Sequence, residues 1–133
     1  MRKQVLNPPS VPAPAGNFSH LVRLELGDAV LLFLSGEIAL DEAGNLVGEG
    51  DMARQTEHVF DTIGKILAAA GAGFDDVVKL TTYLSDLSQL DAHREVRARY
   101  LPDPPPASTL VEVSRLVRPG LLVEVEAVAA VPR

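Results

Sequence analysis

Pro105-Pro106-Ala107-Ser108-Thr109-Leu110-Val111-Glu112-Val113 and, beyond a turn at Pro119-Gly120, Val123-Glu124-Val125-Glu126-Ala127-Val128 decide how this chain folds. Both alternate or nearly alternate apolar and polar residues, the period-two pattern of half-buried strands. Strands are therefore expected at about Ser108–Val113 and Leu121–Val131. Glu124 and Glu126, two residues apart, project from one strand face, with Val123, Val125 and Ala127 on the other. The prolines from Pro102 to Pro106 end whatever helix precedes them.

Working back toward the N-terminus, Leu87–Tyr100 reads as a helix anchored by Leu90, Val96 and Leu101. Val77–Leu84 (Val77, Val78, Leu80, Thr81, Thr82, Tyr83) is a β-branched strand. Before it, Met52, Val59, Phe60, Ile63, Ile66, Leu67 and Ala70 recur at helical spacing, with Asp51 placed to cap and Gly71 to stop the helix. Leu21–Leu26 and Ala29–Leu34, joined by Gly27-Asp28, predict a hairpin whose second strand is buried and ends at Ser35-Gly36. Residues 8–16 carry four prolines and are expected to form an extended surface loop that delivers Phe18 to the strand ends. The order is ββαβαββ, a mixed sheet backed by two helices with a βαβ unit inside it: an α+β layered fold in one domain spanning residues 1–133.

Composition narrows function. A formal charge of -6, from 12 Lys and Arg against 18 Asp and Glu, argues against an obligatory nucleic-acid partner, which needs clustered cations. The chain has no cysteine, which excludes disulfides and thiolate chemistry and suits a reducing cytoplasm. No apolar run is long enough to span a bilayer, and Arg2-Lys3 followed by prolines does not read as a secretory signal, so no membrane partner is expected.

Candidate chemistry is sparse. Glu124 and Glu126 are suited to holding a water or moving protons, or else to lining a solvated edge or meeting cations across a subunit contact. Ser35-Gly36 offers a hydroxyl and a backbone N–H where a buried strand opens, or simply terminates that strand. Ser108 and Thr109 lack the elbow and the neighbouring base of a nucleophile. His20, His58 and His93 show no ligand spacing, so no metal site is expected; His58 and His93 are expected on solvated helix faces, and His20 is the one that can reach a cleft. A cation for a cleft must come from Arg54, Arg94, Arg97, Arg99, Arg115 or Arg118.

The quoted C-terminal stretches, together with Leu34-Ser35-Gly36-Glu37-Ile38, Gln55 in the first helix and Val78-Lys79-Leu80-Thr81-Thr82-Tyr83-Leu84 with Asp86-Leu87, closely resemble the Rid family (YjgF/RidA), the imine and enamine deaminases, over nearly the whole chain. That resemblance implies a chorismate-mutase-like fold and a homotrimer packed around a central barrel-like core. It also implies clefts at subunit interfaces and cofactor-independent hydrolysis of small-molecule imines and enamines to a keto acid and ammonia. By the same resemblance Glu124 orients the water, and Ser35 and the Gly36 amide contact substrate.

Three positions depart from the family pattern. Ser108 stands where the family's carboxylate-binding arginine is expected, Phe18 where a tyrosine is common, and Arg94 where a helix asparagine is common. The expected site is thus Glu124 as the catalytic group, with Ser35, Gly36, Phe18, Arg94 and Ser108 binding substrate and the substrate range altered by Ser108. Two other outcomes stay open: a non-catalytic metabolite-binding or regulatory trimer, and a ribonuclease, against which the acidic chain argues.

Overall fold

The computed structural model describes residues 1–133. Six strands form one mixed sheet in the order β1-β2-β3-β6-β4-β5. They are β1 (Arg2–Leu6), β2 (Leu21–Leu26), β3 (Ala29–Glu37), β4 (Val77–Leu84), β5 (Ala107–Glu112) and β6 (Val123–Pro132), and the helices are α1 (Met52–Ala69) and α2 (Leu90–Arg97). Only β4 and β5 pair in parallel.

The α+β expectation of a mixed sheet backed by two helices is met, with three corrections. A first strand, β1, precedes the expected hairpin and pairs with β2 from Arg2↔Glu25 to Leu6↔Leu21. Its sequence, Arg-Lys-Gln-Val-Leu, is polar because an edge strand is solvated, so hydrophobic alternation does not mark it. The expected second helix is shorter and begins as a 3-10 turn at Leu87–Gln89, where Asp86 accepts a capping bond from the Ser88 N–H, and its α-helical part ends at Arg97. The strands on either side of α1 are not neighbours either: β6 lies between β3 and β4, antiparallel to both.

One face of the sheet carries the core. Leu32, Leu34, Leu80, Leu84, Val123, Val125 and Ala127 are buried there, against Val59, Phe60, Ile63, Ile66 and Leu67 of α1. Each large side chain so buried contributes about 1.5–3 kcal/mol. Asp51 caps α1 as expected, accepting from the Arg54 N–H at 3.0 Å. The helix continues into an aromatic cluster of Phe60, Phe74, Tyr100 and His93. His93 is wholly buried, contrary to the expected solvated face, with Nδ1 3.0 Å from Thr56 Oγ1 and Nε2 without a partner. The helix period alone does not distinguish a polar residue turned inward. His58 is half-buried, its Nε2 3.0 Å from the Leu40 carbonyl.

The opposite face has no covering layer within the chain. Phe33 (42 % exposed), Val5, Leu26 and Val111 lie on it, and the outermost strand β5 keeps only Leu110 packed inward. No helix is long and apolar enough to cross a membrane.

Candidate active site

The site originates in a β-bulge. Leu34 pairs with Ala127 and Glu37 with Val125, so β3 uses one residue more than β6 over this interval. A bulge bends the strand and re-aims its side chains. Strict alternation would leave Glu37 on the same face as Ser35. The extra residue turns it instead toward the buried side, where it is 6 % exposed.

A cleft of about 650 Å³ opens at this irregular end of β3. Pro12, Ala13, Ala15, Gly16 and Phe18 of the proline-rich loop form one wall, Ile38 and residues 40–44 another, and Ser35, Gly36, Glu37, His20 and Glu124 lie where the strands open. Its charged lining consists of Glu37, Asp41, Glu42 and Glu124, with neither lysine nor arginine. Asp41 is committed to its own turn, accepting from the Ala43 and Asn45 N–H groups.

Glu124 lies across Gly36. A β-carbon on Gly36 would stand 2.8 Å from Glu124 Cδ and 3.0 Å from Cγ, closer than real contacts allow, so the carboxylate occupies space that only glycine leaves open. The Glu124 carboxylate makes no hydrogen bond within the chain, and its acidity is weakened by burial and by the neighbouring Glu126 charge. Glu126 is already engaged, accepting from Tyr83 Oη at 2.7 Å. Of the two same-face acids, Glu124 is the one available to a ligand. The Ser35 hydroxyl donates to the Ser19 carbonyl at 2.6 Å, so toward the cleft it presents lone pairs, as an acceptor.

His20, expected near a cleft, lines it, and it brings a partner that the sequence did not single out. Its Nδ1 is 2.6 Å from Glu37 Oε1 and its Nε2 2.7 Å from the Pro12 carbonyl, while its own N–H donates to Asn7 Oδ1. Phe18 meets His20 edge-on, with ring centroids 6.4 Å apart. Burial pushes Glu37 up to about 7; His20 opposes the shift and the Glu124 charge adds to it. The signal missed in the sequence is the bulge, which alternation cannot show.

The remaining expected residues do not join this cleft within one chain. Ser108 is exposed on β5, in register with Leu80, and Arg94 is exposed on α2; neither lines the cleft. Arg118 reaches the rim, where Nη1 donates to the Gly44 carbonyl at 2.6 Å. Arg54 is paired with Glu57. No group of three His, Asp or Glu side chains is arranged to hold a metal ion.

Residues 9–131 match the family pattern described as endoribonuclease L-PSP. A RutC family protein of Pyrococcus abyssi is 38 % identical, over 97 % of this chain and 98 % of its own length. The chain belongs to the Rid (YjgF/RidA) family. Another Rid-family relative, the 3-aminoacrylate deaminase RutC of Acinetobacter baylyi, is 34 % identical over 98 % of this chain and all of its own. Among solved Rid-family structures, RidA from an Antarctic Psychrobacter superimposes with a TM-score of 0.82 at 32 % identity, covering 96 % of this chain and 99 % of that one.

Proposed function

We propose that this chain hydrolyses reactive imine or enamine metabolites without a cofactor, using Glu124 to orient water in the cleft beside Ser35 and Gly36. The observation that carries this reading is the unpaired, partly buried Glu124 carboxylate lying across Gly36. A carboxylate whose acidity is weakened by burial is a better proton acceptor for water, and it has no competing partner. An imine carbon above it takes the water oxygen, the Ser35 Oγ lone pair accepts from the substrate N–H, and the products are a carbonyl compound and ammonia. The deaminase name carried by the Acinetobacter relative supports the same chemistry.

The same reading gives the substrate no carboxylate grip. Ser108 stands where the family pattern expects arginine, and the cleft's own charges are all acidic apart from His20. A small imine or enamine without a carboxylate, neutral or protonated, suits that lining. We further infer that copies assemble as a homotrimer, bringing Ser108 of one copy to the cleft of the next. The bare apolar sheet face and the solvated β5 support this, since apolar area of this kind is normally covered. A cysteine-free chain is consistent with work in the cytoplasm.

The missing cleft cation also favours a second reading, a trimer that binds a small metabolite without turning it over. Ammonia release from freshly generated imines separates the two: hydrolysis lost in Glu124→Gln supports the enzyme, whereas saturable binding with no acceleration of any imine supports the binding protein.

A further inference from the structure

The imidazole of His20 is held between two oxygens. The Pro12 carbonyl can only accept, so Nε2 carries a hydrogen and donates it there. The remaining contact, Nδ1 to Glu37 Oε1 at 2.6 Å, then contains one proton, on the ring or on the carboxyl. Glu37 Oε2 takes no hydrogen bond within the chain and is not sealed in the interior, and Glu37 lines the cleft. For Glu37 to act as an acid the contact proton sits on Nδ1, with Oε1 accepting it, and the proton to be donated sits on Oε2, the oxygen free toward the cleft.

We propose that Glu37, held by His20, is a second acid of the active site, donating a proton to the substrate nitrogen while Glu124 takes one from water. This rests on the hydrolytic reading above. Glu124 lies against Gly36, next in the chain to Glu37, so the two carboxyls converge on one end of the cleft from β6 and from the bulge. The charges acting on Glu37 are His20 from the segment before β2 and Glu124 from β6, and Asp41 and Glu42 from the loop after β3 line the same cleft. Burial and the Glu124 charge favour its protonated form near neutral pH, as a general acid requires.

The proton balance closes. The water oxygen bonds to the imine carbon and one water proton passes to Glu124. The C=N π pair moves to nitrogen and takes the Glu37 proton, giving a carbinolamine. Glu37 is recharged, through cleft water, by the proton Glu124 took up. In the second step the carbinolamine hydroxyl proton goes to Glu124, the C=O bond forms, and nitrogen takes a second proton from Glu37 as the C–N bond breaks. Both water protons end on ammonia.

The test compares wild type, Glu37→Gln, His20→Gln and Glu124→Gln on a carboxylate-free N–H imine and on an N,N-dialkyl iminium ion, whose first step needs no proton. Wild-type kcat on the imine is expected to fall above about pH 7. Glu37→Gln is expected to lower kcat roughly 100-fold, to abolish that alkaline limb, and to lose much less on the iminium. His20→Gln leaves Glu37 unheld and without its cationic neighbour, so the limb moves to higher pH; a purely structural histidine would leave it in place, and this variant decides the matter if Glu37→Gln does not fold. A Glu37→Gln enzyme with the wild-type rate and pH profile overturns the proposal while leaving the Glu124 reading intact. A wild type that hydrolyses no imine overturns the hydrolytic reading itself.

Discussion

The carboxylate of Glu124 lies across the α-carbon of Gly36, so that a side chain on Gly36 would displace it. Gly36 is therefore a packing requirement of the acid. Gly36→Ala pushes the Glu124 carboxylate out of place by about an ångström, a shift that lowers kcat about 100-fold when it moves a reacting group. The fold is little affected, because the displaced group is a half-buried side chain. Imine-hydrolysis kinetics with circular-dichroism melting check both halves.

On the proposed reading, Ser108→Arg supplies the cleft with a carboxylate-binding guanidinium. Ser108 is exposed on an edge strand, so the change leaves stability nearly unaltered. A charge-assisted pair with a substrate carboxylate is worth about 1.5–3 kcal/mol, which is roughly a ten- to hundred-fold rise in kcat/KM for 2-iminopropanoate. The carboxylate-free imine gains nothing, and the ratio of the two rates is the readout.

Gln55 is wholly buried and saturates both ends of its amide. Nε2 donates to the Gly48 and Gly120 carbonyls at 3.1 and 2.9 Å, and Oε1 accepts from the Leu122 N–H at 2.8 Å. It thereby fastens α1 to the loop before it and to the entry into β6. Gln55→Leu strands three backbone groups and destabilises by about 3 kcal/mol, seen as a fall of roughly 10 °C in melting temperature.

Stability responds to pH through two buried groups of opposite sign. Burial, with the nearby Arg97 and Arg94 charges, lowers His93 to about 4. The unfolded chain binds its proton first, so His93 contributes stability above about pH 6.5 that is lost as pH falls toward 4, at most about 3 kcal/mol. Glu37, raised to about 7, holds a proton that the unfolded chain releases near 4.5, so its contribution is present at low pH and is lost as pH rises through 7. Wild type is therefore nearly flat between pH 4.5 and 6.5 in urea unfolding. Glu37→Gln exposes a stability that rises with pH, and His93→Gln one that falls.

The fold was legible because its core elements carry strong periods. The α1 repeat with Asp51 and the Val123-to-Ala127 alternation with Glu124 turned outward were both apparent in the sequence and are present in the structure. β1 was not legible, since an edge strand has little apolar pattern to show. Of the site, Phe18, Ser35, Gly36 and Glu124 line one cleft; strand ends pointed to the first three, and only the family resemblance pointed to Glu124. Glu37 escaped notice because a single inserted residue reverses its facing, and His93 because a helix period does not reveal an inward polar residue.

The most direct test of Glu124 as the water-orienting acid is ammonia release from freshly generated imines, one with and one without a carboxylate, by wild type and by Glu124→Gln. Wild type is expected to accelerate the carboxylate-free imine well above its spontaneous rate and the imino acid less, with Glu124→Gln folded yet at background on both. Wild type at background on both, or Glu124→Gln as fast as wild type, would contradict it.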